Sequence, residues 1–163
     1  MADFVERFAR WWSDPDPDRL GELLAEDVRL VQPLAPDTTT LADAAASFRR
    51  LFRFLPDLRG EIHDSATDGN VVFIHFTLSA TYGGKPISWD AVDRFVLRDD
   101  GLAVERVSFF DSQPLAVQML TRPRGWTQLV HSGFRPQLRA RPPGRASAPG
   151  APRSSGSASP TGA

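Results

Sequence analysis

Asp93 stands in the run WDAVDRFVL, where Trp89, Ala91, Asp93, Phe95 and Leu97 alternate onto one face of a strand while Asp90, Arg94 and Arg98 point the other way. A carboxylate among such large apolar neighbours is poorly solvated. Two roles fit it: a neutral acid that donates a hydrogen bond to a developing oxyanion, or a structural acid paired with an arginine or tyrosine. The turn Asp99-Asp100-Gly101 suits a three-residue hairpin loop, which predicts pairing of Asp93 with Val107, Ala91 with Phe109 and Trp89 with Asp111. Asp111 then shares the face of Asp93. Four residues of strand separate them by roughly 13 Å, so an acid/base pair of this kind would flank opposite ends of a ligand and not share a proton. Asp111 also has a structural alternative, because an acid closing the last strand can cap the turn at Ser112 to Pro114.

The preceding strand is tied to this hairpin by Gly83-Gly84, a two-residue turn that pairs Leu78 with Trp89 and Ile74 with Asp93. Three strands thereby share one apolar face, which carries Val72, Ile74, Phe76, Leu78, Ala80 and Tyr82 and is interrupted by Asp93, Glu105 and Asp111. Trp12, Trp89, Phe76, Tyr82 and Phe109 are its candidate pocket walls or core residues. Gln32, before Pro33, can orient a ligand carbonyl or satisfy backbone groups. The opposite face mixes Phe73, His75, Thr77, Asp90, Arg94 and Arg106. That face, with Phe73, Val92, Val96 and Phe110, is expected to meet a second copy of the chain, and His75 belongs to it.

The elements that position these residues follow from periodicity. Phe4, Val5, Phe8, Trp11 and Trp12 recur at helical spacing over residues 3 to 13. Asp16-Pro17 restarts a helix before a short strand, Val28 to Gln32, and Thr40 with Asp43 resembles a capping box for a third helix that ends near Pro56. Strands follow near 58–66, 70–82, 86–98 and 102–111. Helices gathered on the apolar face of such a sheet imply an α+β cone: a curved antiparallel sheet wrapped by three N-terminal helices, with a cavity at its open end. Residues 114 to 134 are expected to lie across that opening as a helix or lid.

Composition narrows the function classes. Residues 135–163 hold five arginines and no acid in a Pro/Gly/Ser/Ala background, too poor in apolar side chains to form a core, so residues 1–134 are the expected domain and the rest a disordered tail. Against an overall charge of −1, the domain carries −6, which gives no pull toward nucleic acid. There are no cysteines, and His63, His75 and His131 lack metal-ligand spacing, so no metal and no cofactor are expected. No run is long and apolar enough for a membrane span or signal peptide, and a cytoplasmic location is the default.

The element order, with the phrases LAEDVRLVQP, AVDRFVLRDDG and VSFFDSQPL, resembles the nuclear-transport-factor-two-like superfamily over about residues 3 to 120, and within it the SnoaL-like polyketide cyclase group. The resemblance implies the cystatin-like α+β barrel. Against ketosteroid isomerases it places Asp93 at the oxyanion-stabilising acid, but Gln32 stands where the general base would be and Phe8 where the family has a tyrosine. Gln32 cannot abstract a proton from carbon, and Phe8 cannot donate a hydrogen bond. Against limonene epoxide hydrolases it places Asp111 at a water-activating aspartate, without the companion Arg-x-Asp. The resemblance therefore implies cofactor-free acid/base chemistry of isomerase, cyclase or hydratase type on an apolar carbonyl-bearing molecule. The alternative is a non-catalytic ligand-binding or dimeric scaffold protein.

Overall fold

The structure, a computed structural model, describes residues 2–133, and the expected tail over 135–163 lies outside them. The first helix, α1 (Ala2–Ser13), buries Phe4, Phe8, Trp11 and Trp12 on one side, as their spacing requires. Asp16 does cap, accepting from the Asp18 amide at 2.9 Å, but the turn it starts is a 3₁₀ helix over Pro17–Glu22. It stays short because Leu24 already belongs to β1 (Leu24–Val31). Thr40 caps α2 (Leu41–Phe54): its hydroxyl accepts from the Asp43 amide at 3.1 Å and donates to the Asp43 carboxylate at 2.8 Å.

The sheet is completed by β2 (Arg59–Asp68), β3 (Val71–Tyr82), β4 (Lys85–Leu97) and β5 (Ala103–Phe109), in the order β1-β5-β4-β3-β2. β2 to β5 form the expected antiparallel meander. β1 joins the β5 edge in parallel, so the five-stranded sheet is mixed. The register of β3 on β4 is the predicted one, with Leu78 opposite Trp89 and Ile74 opposite Asp93. Gly83 and Gly84 close this hairpin at φ +60° and +77°, values that bulkier residues reach only with strain.

The register of β4 on β5 differs from expectation by one residue. At the turn it begins as predicted, Leu97 opposite Ala103, but Val104 is extra, so Val96 faces Glu105 and Asp93 faces Ser108. This β-bulge reverses every side chain beyond it. Arg106, Ser108 and Phe110 turn inward, whereas Glu105 and Phe109 turn outward. Charge matching explains the choice. Outside, Glu105 accepts from Arg94 at 2.6 Å and from Arg29 at 3.3 Å; inside, Arg106 donates to Asp93. Without the extra residue two carboxylates, Asp93 and Glu105, would share the apolar face.

The inner face of the sheet packs on α1 and α2 through interlocked rings: Phe8 meets Phe95 and Phe76 at 5.3 and 5.4 Å, and Trp11 meets Phe48 at 5.4 Å. After β5 the chain crosses the open end as α3 (Ser112–Leu120), a 3₁₀ turn (Pro123–Gly125) and α4 (Trp126–Ser132). Leu115 and Met119 point inward from α3. The Gln128 side-chain amide ties α4 to the Phe54 carbonyl at 2.6 Å, and Gly125 lies so close on the Tyr82 ring that any side chain there would overlap it. Among the described residues, no helix is long and apolar enough to cross a membrane.

Candidate functional site

A partly open cavity of about 70 Å³ lies between α1, α2, the inner sheet face and α3. Its wall is mainly apolar: Trp12 from α1, Phe48 and Leu51 from α2, Leu78 and Trp89 from the sheet, Leu115 and Met119 from above. Four lining side chains are polar, namely Gln32, Ser47, Arg106 and Ser108. A volume of 70 Å³ is under half of the roughly 150 Å³ that holds benzene in an engineered apolar cavity. A ring-sized ligand therefore needs more room than this space provides.

The chemistry of the wall centres on one buried ion pair. Asp93 is 0% exposed and its Oδ2 accepts from Arg106 Nε at 2.5 Å. Arg106, 6% exposed, is held between the rings of Phe48 and Phe95, whose centroids lie 5.5 and 6.0 Å from the guanidinium carbon. Such stacking suits a planar, weakly hydrated cation and fixes its orientation. Asp93 Oδ1 is enclosed and has no hydrogen-bond partner among the described residues.

The predicted site residues divide accordingly. Trp12, Trp89 and Gln32 line the cavity. Asp93 is buried on the expected face but stands behind Arg106 and does not border the cavity. Asp111 is exposed and caps α3, accepting from the Gln113 amide at 2.9 Å, because the bulge turns the end of β5 over. For the same reason Phe109 is 40% exposed on the outer face and Phe110 takes its place at the cavity. Phe76 belongs to the core behind Trp12, with ring centroids 6.0 Å apart. Tyr82 supports the lid from below, its hydroxyl 3.5 Å from the Met119 carbonyl. Burial pushes this phenol above its ordinary pKa, against the opposing pull of Arg122. Sequence reasoning missed Arg106, Ser108 and Ser47. For the first two, the usable signal was the cross-strand charge match of Glu105 with Arg94.

A curved sheet closed by helices over an apolar cavity, with a few convergent polar groups, defines a class of cone-shaped α+β folds. The chain belongs to the SnoaL-like domain family, whose sequence profile it matches over residues 5–106. No curated protein matches it by sequence. Solved structures share the fold. One is a protein classed by inference as a SnoaL-like polyketide cyclase from Jannaschia sp. CCS1, with 21% identity, 72% of this chain and 88% of that chain covered and a TM-score of 0.61. A nuclear-transport-factor-two-like protein of unknown function from Burkholderia pseudomallei K96243 has 19% identity, 74% and 96% coverage and a TM-score of 0.64. TerC, co-crystallised with polyporic acid, has 18% identity, 73% and 97% coverage and a TM-score of 0.66.

Proposed function

We propose that this chain is a cofactor-independent SnoaL-like protein that binds an apolar carbonyl-bearing small molecule in its cavity and stabilises negative charge on the carbonyl oxygen. The observation that carries this reading is the Arg106 guanidinium, buried at an apolar wall and held in place by Asp93, Phe48 and Phe95. A fixed cation in a water-poor site stabilises a developing enolate with little reorganisation. Asp93 then acts through Arg106, as the group that orients it. The reaction classes that use such charge development are isomerisation, cyclisation and hydration. That TerC, which shares the fold, was co-crystallised with polyporic acid supports a small-molecule ligand for this chain.

A second reading, a ligand-binding or scaffold protein without chemistry, is favoured by one specific observation. Among the described residues the lining includes no carboxylate and no histidine, so none of these side chains can act as general base at neutral pH. Both readings share the ligand site. A crystal structure of the protein soaked with acetophenone tests it: the expected density lies in the cavity, with the ketone oxygen within hydrogen-bond reach of an Arg106 Nη atom and α3 displaced. Acetophenone bound only elsewhere would remove both.

The proposal includes a cytoplasmic homodimer formed through the outer sheet face, with the 1–134 domain as its folded unit. Phe73, Val92 and Phe109 lie there on three adjacent strands, each close to two-fifths exposed, with Phe109 replacing Phe110 as the expected contact. Sedimentation at micromolar concentration is expected to give the dimer mass, and a monomer would contradict it.

A further inference from the structure

The cavity wall carries a surplus of hydrogen-bond donors, and the surplus specifies what it takes. Among the described residues, neither Nη atom of Arg106 has a hydrogen-bond partner, because its contact with Asp93 is made through Nε. Trp12 and Trp89 also line the space, but through their rings: their indole N–H groups are shut off from it and have no hydrogen-bond partner among the described residues. The hydroxyls of Ser47 and Ser108 line the same space. Against these donors the lining side chains offer only hydroxyl oxygens and the Gln32 amide as acceptors. Guanidinium N–H groups without partners at an apolar wall are costly, so the ligand that fits is one that brings acceptor oxygens to the Arg106 Nη atoms.

We propose that the cavity is an organic-acid site, taking the carboxylate of a small aromatic acid in a bidentate grip by Nη1 and Nη2 of Arg106. This inference rests on the cavity being the ligand site and goes beyond it in naming the charge of the ligand. A planar guanidinium with both terminal nitrogens free matches the two oxygens of a carboxylate. Asp93 occupies the third side of the same guanidinium, so Arg106 is shared between a resident carboxylate and an incoming one. The bound state then holds one net negative charge, and the Ser47 and Ser108 hydroxyls supply the compensation that a single arginine already shared with Asp93 does not. The ring of the acid meets Phe48, Leu78 and Phe110, which are apolar.

The test uses the full chain, with benzoate and the neutral benzamide as probes, read from the indole ¹⁵N–H resonances of Trp12 and Trp89. Benzoate is expected to shift both resonances saturably and to bind about tenfold or more tighter than benzamide, the difference a charge-assisted pair makes. Since Arg106→Met alone leaves Asp93 buried without its partner, the double variant Asp93→Leu/Arg106→Met serves as control, and in it the preference for benzoate is expected to vanish. Ser108→Ala, which keeps the ion pair, is expected to weaken benzoate more than benzamide. Benzamide binding as well as benzoate would overturn the organic-acid assignment while leaving the carbonyl site in place. Indole resonances that respond to neither probe would overturn both, and a preference that survives in the double variant would take the assignment away from Arg106.

Discussion

Replacing Arg106 by methionine is expected to cost about 3–5 kcal/mol of folding stability, because it leaves the Asp93 carboxylate buried with no counter-charge. Asp93 is fully enclosed and Oδ2 has Arg106 as its hydrogen-bond donor, so water cannot replace the lost partner without opening the core. Asp93→Leu is expected to be similarly costly, since it strands the guanidinium between Phe48 and Phe95. The double variant Asp93→Leu/Arg106→Met removes both charges and refills the space with apolar side chains. It is expected to recover most of the loss, as exchanges of whole buried ion pairs do. Urea unfolding of the four proteins gives the coupling energy directly. Additive losses would mean that the two residues do not depend on each other, contrary to the 2.5 Å contact.

That pair was half legible in the sequence. Asp93 was placed on the apolar face by simple alternation, and Gly83-Gly84 fixed its register on β3, since a two-residue turn leaves no freedom there. Arg106 was assigned to the wrong face. The extra residue is Val104, a β-branched residue with nothing local to mark a bulge, and the hairpin loop itself formed as expected. What selects the bulge is the simultaneous pairing of Glu105 with Arg94 and Arg29 outside and of Arg106 with Asp93 inside. β1 supplies Arg29 from more than seventy residues away, so the decision is tertiary. One displaced residue then accounts for the changed faces of Asp111, Phe109 and Phe110 together, while the cap that the sequence also allows Asp111 is formed. The helical layer was more transparent, because the aromatic spacing of α1 and the Thr40 cap of α2 are local signals. Asp16 signalled a start and gave no information on how short its 3₁₀ turn would be.

The second large effect concerns charge development on a bound carbonyl. If Arg106 stabilises the enolate of a ketone, the protein accelerates exchange of the acetophenone methyl hydrogens with deuterium oxide. Removing a single fixed donor of this kind costs about 10²–10³ in rate, and the double variant Asp93→Leu/Arg106→Met is expected to lose that much while staying folded. Among the described residues the cavity wall carries no carboxylate or histidine, so water or hydroxide entering the partly open cavity takes the departing proton. The exchange rate is then expected to rise about tenfold per pH unit through neutrality, with no plateau that would mark a side-chain base.

Solvent deuterium incorporation into acetophenone, followed by proton NMR for the wild-type protein and the double variant side by side, is the measurement that bears most directly on the role of Arg106. Exchange well above the buffer rate in the wild-type protein, lost in the double variant, is the predicted result. Exchange at the buffer rate in the wild-type protein with acetophenone bound in the cavity, or equal acceleration by both proteins, would contradict it.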